Sequence, residues 1–280
     1  MKSAKISIAL TVIFCVVTQL PAFGENDKPR WYSDRFTYFY RDPRLEHLVG
    51  LIERWQSDAG NRWDSYPPLV GFLAVVFRSH PSWIEKLIPS TLTPDSATAL
   101  SGALRLAGDP SIPEELRTRI VQAGSDPILK RQLAGLPNDL DNLNITLPTH
   151  LDILWGASFA SGDSRYALKI IGFLEKIAGQ SNQAVLDIVT VARKYPETRR
   201  EALMGLRRKY GDRGFVQIVF AATALWGIVS NAEQHNFIKK AVVIYTSEHM
   251  DSSAAHAIIL DFPQMLYFLG EGRQQLLRNQ

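Results

Sequence analysis

From residue 43 onward, apolar residues recur with the period of an α-helix. Leu45, Leu48, Val49, Ile52 and Trp55 fall at i, i+3, i+4, i+7 and i+10. Tyr166, Ile170, Phe173, Leu174 and Ile177 make a second stripe, and Ile238, Ala241, Val242 and Tyr245 a third. Stripes of this kind turn one face of a helix toward a core. Only Leu143, Ile145 and Leu147 alternate with the period of a strand. The punctuation agrees with the period. Asp42-Pro43, Thr93-Pro94, Asp109-Pro110 and Asp126-Pro127 each set a capping oxygen before a proline, whose fixed φ suits a first turn and whose missing N–H is no loss there. Gly108, Gly124, Gly135, Gly162, Gly179 and Gly211 follow helical stretches, where glycine closes a helix in the left-handed conformation. The pattern predicts helices over 43–57, 67–79, 82–88, 95–107, 112–123, 127–134, 149–161, 164–178, 182–194, 197–210, 215–230, 232–248 and 253–261, then a short one after Pro263.

The expected fold class is all-α. Short connections between helices imply antiparallel neighbours, and from residue 149 successive pairs occupy roughly 35 to 40 residues, the scale of helical repeats. The architecture expected is an irregular α/α superhelix of antiparallel helix pairs, with an orthogonal helical bundle as the alternative. The stretch 136–148 is the longest gap between helices. It is where the domain would divide into two halves, although its spaced leucines predict an ordered loop that packs down.

Composition narrows the class without naming a reaction. Apolar residues make up 46% of the 280 and charged ones 21%, as in a folded soluble protein, which excludes disorder, collagen-like repeats and a small disulfide scaffold. The first 24 residues read as a signal peptide: Lys2 and Lys5, the apolar run Ile6 to Val17, then Ala22 and Gly24 at the positions a signal peptidase requires. Retention as an anchor is the alternative; the run is short for a membrane span of about 20 residues. Residues 25–41 form an aromatic N-terminal arm, and 42–280 a single helical domain. Cleavage removes Cys15, the one cysteine, and leaves 29 basic against 28 acidic residues, a net charge of +1. No nucleic-acid partner is expected at such a balance. The expected location is the periplasm or the outside of a bacterium.

Candidate chemistry is sparse. Gly156-Ala157-Ser158-Phe159-Ala160 lacks the last glycine of a nucleophile elbow, and no strand precedes it. In Gly162-Asp163-Ser164, helix stop and helix cap explain the triplet. The six histidines form no His-Glu-x-x-His, and Gly-x-x-x-x-Gly-Lys does not occur. Asp139, Asp141 and Asn144 stand like calcium-loop residues, but Leu143 and His150 occupy ligand positions. His150 and Asp152 sit at a helix start, where the dipole favours an acid. Glu46 and Glu53 fall opposite an apolar stripe and predict solvated carboxylates. No catalytic residue, metal or cofactor is expected.

Three surfaces remain. Residues 193–213 carry eight basic and three acidic side chains, a net of +5. Arg199, Arg200, Arg207, Arg208 and Lys209 are its candidate face for an anionic partner, with peripheral membrane contact as one form of that partner. Phe215 to Val229 is almost wholly apolar and reads as a buried central helix, being about 22 Å long against a hydrocarbon core of about 30 Å. Trp31, Tyr32, Phe36, Tyr38, Phe39 and Tyr40, interleaved with Arg30, Arg35 and Arg41, either line a groove or pin the arm across the helices.

Several segments carry a resemblance: Phe39-Tyr40-Arg41-Asp42-Pro43, Pro68-Leu69-Val70-Gly71-Phe72-Leu73, Asp152-Ile153-Leu154-Trp155-Gly156 with Phe159-Ala160-Ser161-Gly162-Asp163, and Ser230-Asn231-Ala232-Glu233-Gln234-His235. In these the chain resembles uncharacterised exported bacterial all-helical proteins of unknown function. The resemblance implies export and helical structure and no activity. Asn231 and His235, four apart, are expected to share a helix face and, with Asp152 and Trp155, form a candidate pocket. The expected function is a helical scaffold for an envelope or extracellular protein. The alternative is an enzyme or binder acting on an envelope polymer or lipid around His150, Asp152 and His235.

Overall fold

Capping chemistry starts two of the helices expected from a capping oxygen before proline, at Thr93-Pro94 and Asp126-Pro127, whereas Asp42-Pro43 and Asp109-Pro110 start none. In the computed structural model, Thr93 Oγ1 accepts from the Ser96 amide while Ser96 Oγ accepts from the Thr93 amide. Asp126 accepts from the amides of Ile128 and Leu129 at 2.9 and 2.6 Å. The structure describes residues 35–59, 62–193 and 200–263, with side chains in the last segment from residue 203. The signal peptide, Arg30, Trp31 and Tyr32 of the arm, Arg199 and the short helix after Pro263 lie outside the described residues.

The described residues are all-α. In chain order the helices are α1 (Leu51–Ala59), α2 (Pro67–Ser79), α3 (Ile84–Leu87), α4 (Pro94–Leu106), α5 (Glu114–Gln122), α6 (Pro127–Gln132), α7 (Pro148–Ser161), α8 (Arg165–Ala178), α9 (Asn182–Arg193), α10 (Arg200–Gln234), α11 (Asn236–Glu248) and α12 (Ser253–Asp261). Short 3₁₀ turns, among them Phe39–Arg41, Leu45–His47 and Trp63–Ser65, link the early ones. Four predicted helices differ. The helix expected over 43–57 is split: Leu45–His47 is a 3₁₀ turn, and Gly50, at φ 75°, redirects the chain before α1. Val49 is therefore 54% exposed instead of lying on an apolar stripe. The helices expected over 197–210 and 215–230 run together as α10 across a kink at Gly211 (φ 67°, ψ 177°). Helix α10 also continues to Gln234, so the next break falls at His235 and not at 231.

The described chain divides in sequence into two compact units, between Tyr166 and Ala167. The first is built around α2 and α7, each buried nearly all round, with α4 packed on α2. Leu69, Val70, Phe72, Leu73 and Phe77 form its centre. Phe36 and Phe39 reach into that centre, their rings 4.5 and 5.3 Å from that of Phe72, so the arm is pinned by its phenylalanines. The loop 136–148 belongs to this unit and packs down through Leu136, Leu140 and Leu143.

The second unit packs α9, α10, α11 and α12 around Ile188, Leu225, Ile228, Val242 and Ile258. Glu175 of α8 accepts from the Ala254 amide at 2.6 Å and, with Ser252, caps α12. Among the described residues one helix, Leu203–Gln234, is long and apolar enough to cross a membrane. Of its most apolar window, 61% is buried inside the protein, which is how a core helix behaves.

Candidate functional site

Helices α2 and α7 cross with their backbones in contact. A Cβ placed on Gly71 would lie 1.8 Å from the Ile153 carbonyl oxygen, and one on Gly156 1.8 Å from that of Pro68. Only hydrogen fits at either position, so the two glycines fix the register of the pair. Two enclosed carboxyls belong to the elements of this crossing. Asp152 stands one turn before Gly156 on α7, and Asp64 lies in the Trp63–Ser65 turn that leads into α2. The Asp64 side chain is 9% exposed, with Arg62 Nε 3.8 Å from its Oδ1. Asp152 is surrounded in depth by protein yet still touches solvent. Burial, with the Asp64 charge adding to it, pushes Asp152 up to about 7. Burial raises Asp64 as well, against the pull of the Arg62 guanidinium. The dipole effect expected for Asp152 at a helix start is outweighed, because desolvation of a carboxylate costs more than a helix terminus returns. An acid of this kind holds its proton near neutrality and can donate it or a hydrogen bond.

His150 faces the loop. Its Nδ1 lies 2.8 Å from the Asn144 carbonyl oxygen and 3.2 Å from the Thr146 amide nitrogen, so the loop holds the ring by this edge. Its Nε2 is buried without a hydrogen-bond partner among the described residues, as are Thr149 Oγ1 and Ser158 Oγ on the same helix. Burial lowers the imidazole pKa and keeps the ring neutral. Trp155 is buried. Gly162, at φ 66°, ends α7, and Asp163 accepts from the Arg165 amide at 2.8 Å to open α8. The Gly162-Asp163-Ser164 triplet is thus a helix junction.

The acids of the 136–148 loop are neutralised from within. Arg78 Nη1 donates to Asp139 at 3.3 Å and to Asp141 at 3.1 Å, while its Nη2 donates to the Tyr166 hydroxyl at 3.0 Å. Arg165 adds a bond of 3.2 Å to Asp141. Two guanidiniums occupy the oxygens that a calcium ion would need. Among the described residues no three His, Cys, Asp or Glu side chains gather as a metal site.

In the second unit, Asn231 lies in the last turn of α10 and His235 at the start of α11, in an extended conformation (φ −124°, ψ 110°). The His235 amide still donates to the Asn231 carbonyl at 2.8 Å, closing the last turn of α10, before the chain becomes extended at His235. The Asn231 amide donates to its own helix at Gly227 O (2.8 Å). His235 is fully buried, its ring 5.9 Å from that of Phe237. Asp152 and Trp155 belong to the first unit, so the four expected pocket residues are divided between the two. The basic block is partly neutralised: Arg207 pairs with Asp212, and Lys209 with Asp187 at 2.6 Å. Arg208 is exposed and makes no ion pair among the described residues, and the side chain of Arg200 lies outside them.

Sequence reasoning singled out Asp152 but passed over Asp64. The signal was there in Trp63-Asp64-Ser65-Tyr66-Pro67-Pro68, an acid set among aromatic and proline residues just before an apolar helix. Fold and site together define an all-α protein of two helical units, with a recessed acid, Asp152, on the central helix α7 of the first. No family model, curated protein or solved structure matches the chain.

Proposed function

We propose that this is an exported bacterial envelope protein that acts as a helical scaffold for a protein partner. The observation that supports this reading is the set of large apolar side chains left on the outside of its helices. Val121 is 73% exposed, Val49 and Ile244 54%, and Leu186 51%. Single exposed apolar side chains are ordinary on any protein, so the test must be positional. A photo-crosslinking residue is placed in cells at Val121, and for comparison at Glu115 on another face of α5. One dominant protein adduct from position 121, absent from 115, is expected, and equal labelling from both would sink the reading. Export is tested separately, by fusing residues 1–40 to a reporter active only outside the cytoplasm.

A second reading has its own support. Asp152, a recessed carboxylic acid that holds a proton near neutrality, fits an enzyme or binder acting on an envelope polymer or lipid. Purified protein incubated with isolated envelope polymer then releases soluble fragments, and Asp152→Asn abolishes the release. No release by the wild-type chain at any pH from mildly acid to mildly basic would remove this reading.

A further inference from the structure

We propose that the part of α10 before Gly211 is a hinged amphipathic arm, latched to α9 through Asp187, and that an anionic lipid surface is the partner toward which it opens. The contrast across the kink carries this. After Gly211, the side chains of Phe215, Ile218, Ala221, Ala222, Leu225 and Ile228 are buried in the core of the second unit. From Leu203 to Gly214 no residue is buried. That stretch gains little from apolar contact, and segments so thinly anchored open at a small fraction of the global unfolding cost. No neighbour props the kink either: a Cβ on Gly211 would meet nothing within 4 Å. Polar bonds hold the arm instead. Lys209 Nζ and the Tyr210 hydroxyl both donate to Oδ2 of Asp187, each at 2.6 Å, and Gln183 Nε2 donates to Oδ1 at 3.2 Å. Arg207 donates to Asp212 across the kink. Asp187 is the one acid on α9, so this latch depends on a single carboxylate.

The arm carries what a lipid interface takes up. Leu203, Leu206 and Tyr210 share one face at i, i+3 and i+7 and are half-buried, while Met204 beside them is 45% exposed. Arg207, Arg208 and Lys209 follow directly, Arg213 stands just past the kink, and Asp212 is the single acid between 203 and 213. Arg208 and Arg213 are exposed and make no ion pair among the described residues. Long apolar side chains next to clustered arginine and lysine are the composition of a helix that lies in a lipid interface. Lipid phosphates offer Lys209 and Arg207 the same kind of anionic oxygen that Asp187 and Asp212 offer them now. Surface pairs of this sort are individually weak, so a dense layer of anions can displace them. Flexible methionine and leucine side chains suit a fluid surface, which needs no matching shape.

The test is co-sedimentation of the full chain with vesicles of phosphatidylcholine alone and of phosphatidylcholine mixed with phosphatidylglycerol. The wild type is expected to bind the mixed vesicles more than the neutral ones, and to lose that excess at about 1 M salt. Asp187→Asn keeps the shape of the acid without its charge. It should bind the mixed vesicles several-fold more tightly, and its hydrogen exchange over 203–214 should accelerate without lipid. Met204→Glu combined with Arg208→Glu, both at exposed positions, should remove the excess. This double variant keeps residues 1–24, so any attachment through the apolar N-terminus persists in it and is subtracted. Equal binding by the wild type and the double variant would overturn the proposal. So would an Asp187→Asn chain that binds no better than the wild type. Exchange over 203–214 that responds to polyglutamate and not to the mixed vesicles would also overturn it, in favour of an acidic protein partner.

Discussion

Gly71 and Gly156 are the residues on which the first unit turns. Each meets a carbonyl oxygen at a distance no Cβ can occupy, and these oxygens belong to the backbone, which cannot swing aside. Gly71→Ala or Gly156→Ala is expected to cost about 3 kcal/mol or more, because relief requires the helices to separate. Gly172, within α8, has open space where a Cβ would go. Gly172→Ala should therefore add about 0.5–1 kcal/mol of stability through helix propensity alone. Urea denaturation of the three variants checks the contrast, and similar losses at all three would refute the backbone contact. This distinction could not be read from the sequence. Gly156 drew notice there as part of an incomplete nucleophile elbow, and Gly71 only within a resembling segment. A glycine that permits close approach and one that merely sits in a helix look alike until the partner helix is placed.

Among the elements, what was legible follows from local physics and what was missed follows from tertiary context. Helix α2 was predicted with its observed bounds, since Pro67-Pro68 starts it and a continuous apolar run sustains it. The helix expected over 43–57 failed at Gly50, whose positive φ overrides an otherwise unbroken period. Gly211 was read as a stop and proves to be a kink, because both flanking segments continue helically around it. Its φ of 67° with ψ of 177° belongs to a region nearly closed to other residues. Gly211→Ala is thus expected to lose about 1–3 kcal/mol even though its side chain would meet no neighbour. Circular dichroism with thermal melts would show it, and a stabilised variant would mean that the kink is dispensable. The 136–148 loop gives a second prediction at this scale. Its leucines were legible as anchors, but Arg78, some sixty residues earlier, was not legible as the partner of Asp139 and Asp141. Arg78→Met should cost roughly 1 kcal/mol, because the pairs are partly exposed, and the loss should shrink at about 1 M salt. A loss independent of salt would mean that Arg78 acts through packing.

For the whole molecule, the balance of buried acids predicts how stability varies with pH. Burial raises Asp152, Asp64, Asp95 and Asp261, with Asp64 adding to Asp152 and Asp126 to Asp95. The native chain therefore keeps protons that the unfolded chain releases from about pH 4 upward, and stability falls as pH rises through that window. Two acids act the other way. Burial raises Asp187, but hydrogen bonds from Lys209, Tyr210 and Gln183 outweigh it. Asp212 is lowered by its bond from Arg207. Their contribution is lost only below about pH 4, outside the window. His150, lowered by burial, contributes stability above its unfolded value of about 6.5 and loses it as pH falls further. Stability should accordingly rise on acidification from about pH 8 to pH 6 and then flatten, as the cost of keeping His150 neutral offsets the gain from the acids. Asp152, pushed up to about 7, supplies about 1.4 kcal/mol of that rise, the worth of one proton retained over one pH unit. Asp152→Asn should be the more stable chain at about pH 8 and should have lost the slope, since an amide gives up no proton. Urea denaturation at closely spaced pH values measures both curves. A wild-type curve flat from about pH 6 to 8 would show that Asp152 ionises as an ordinary surface acid, and that the glycine crossing carries the first unit without any help from its proton.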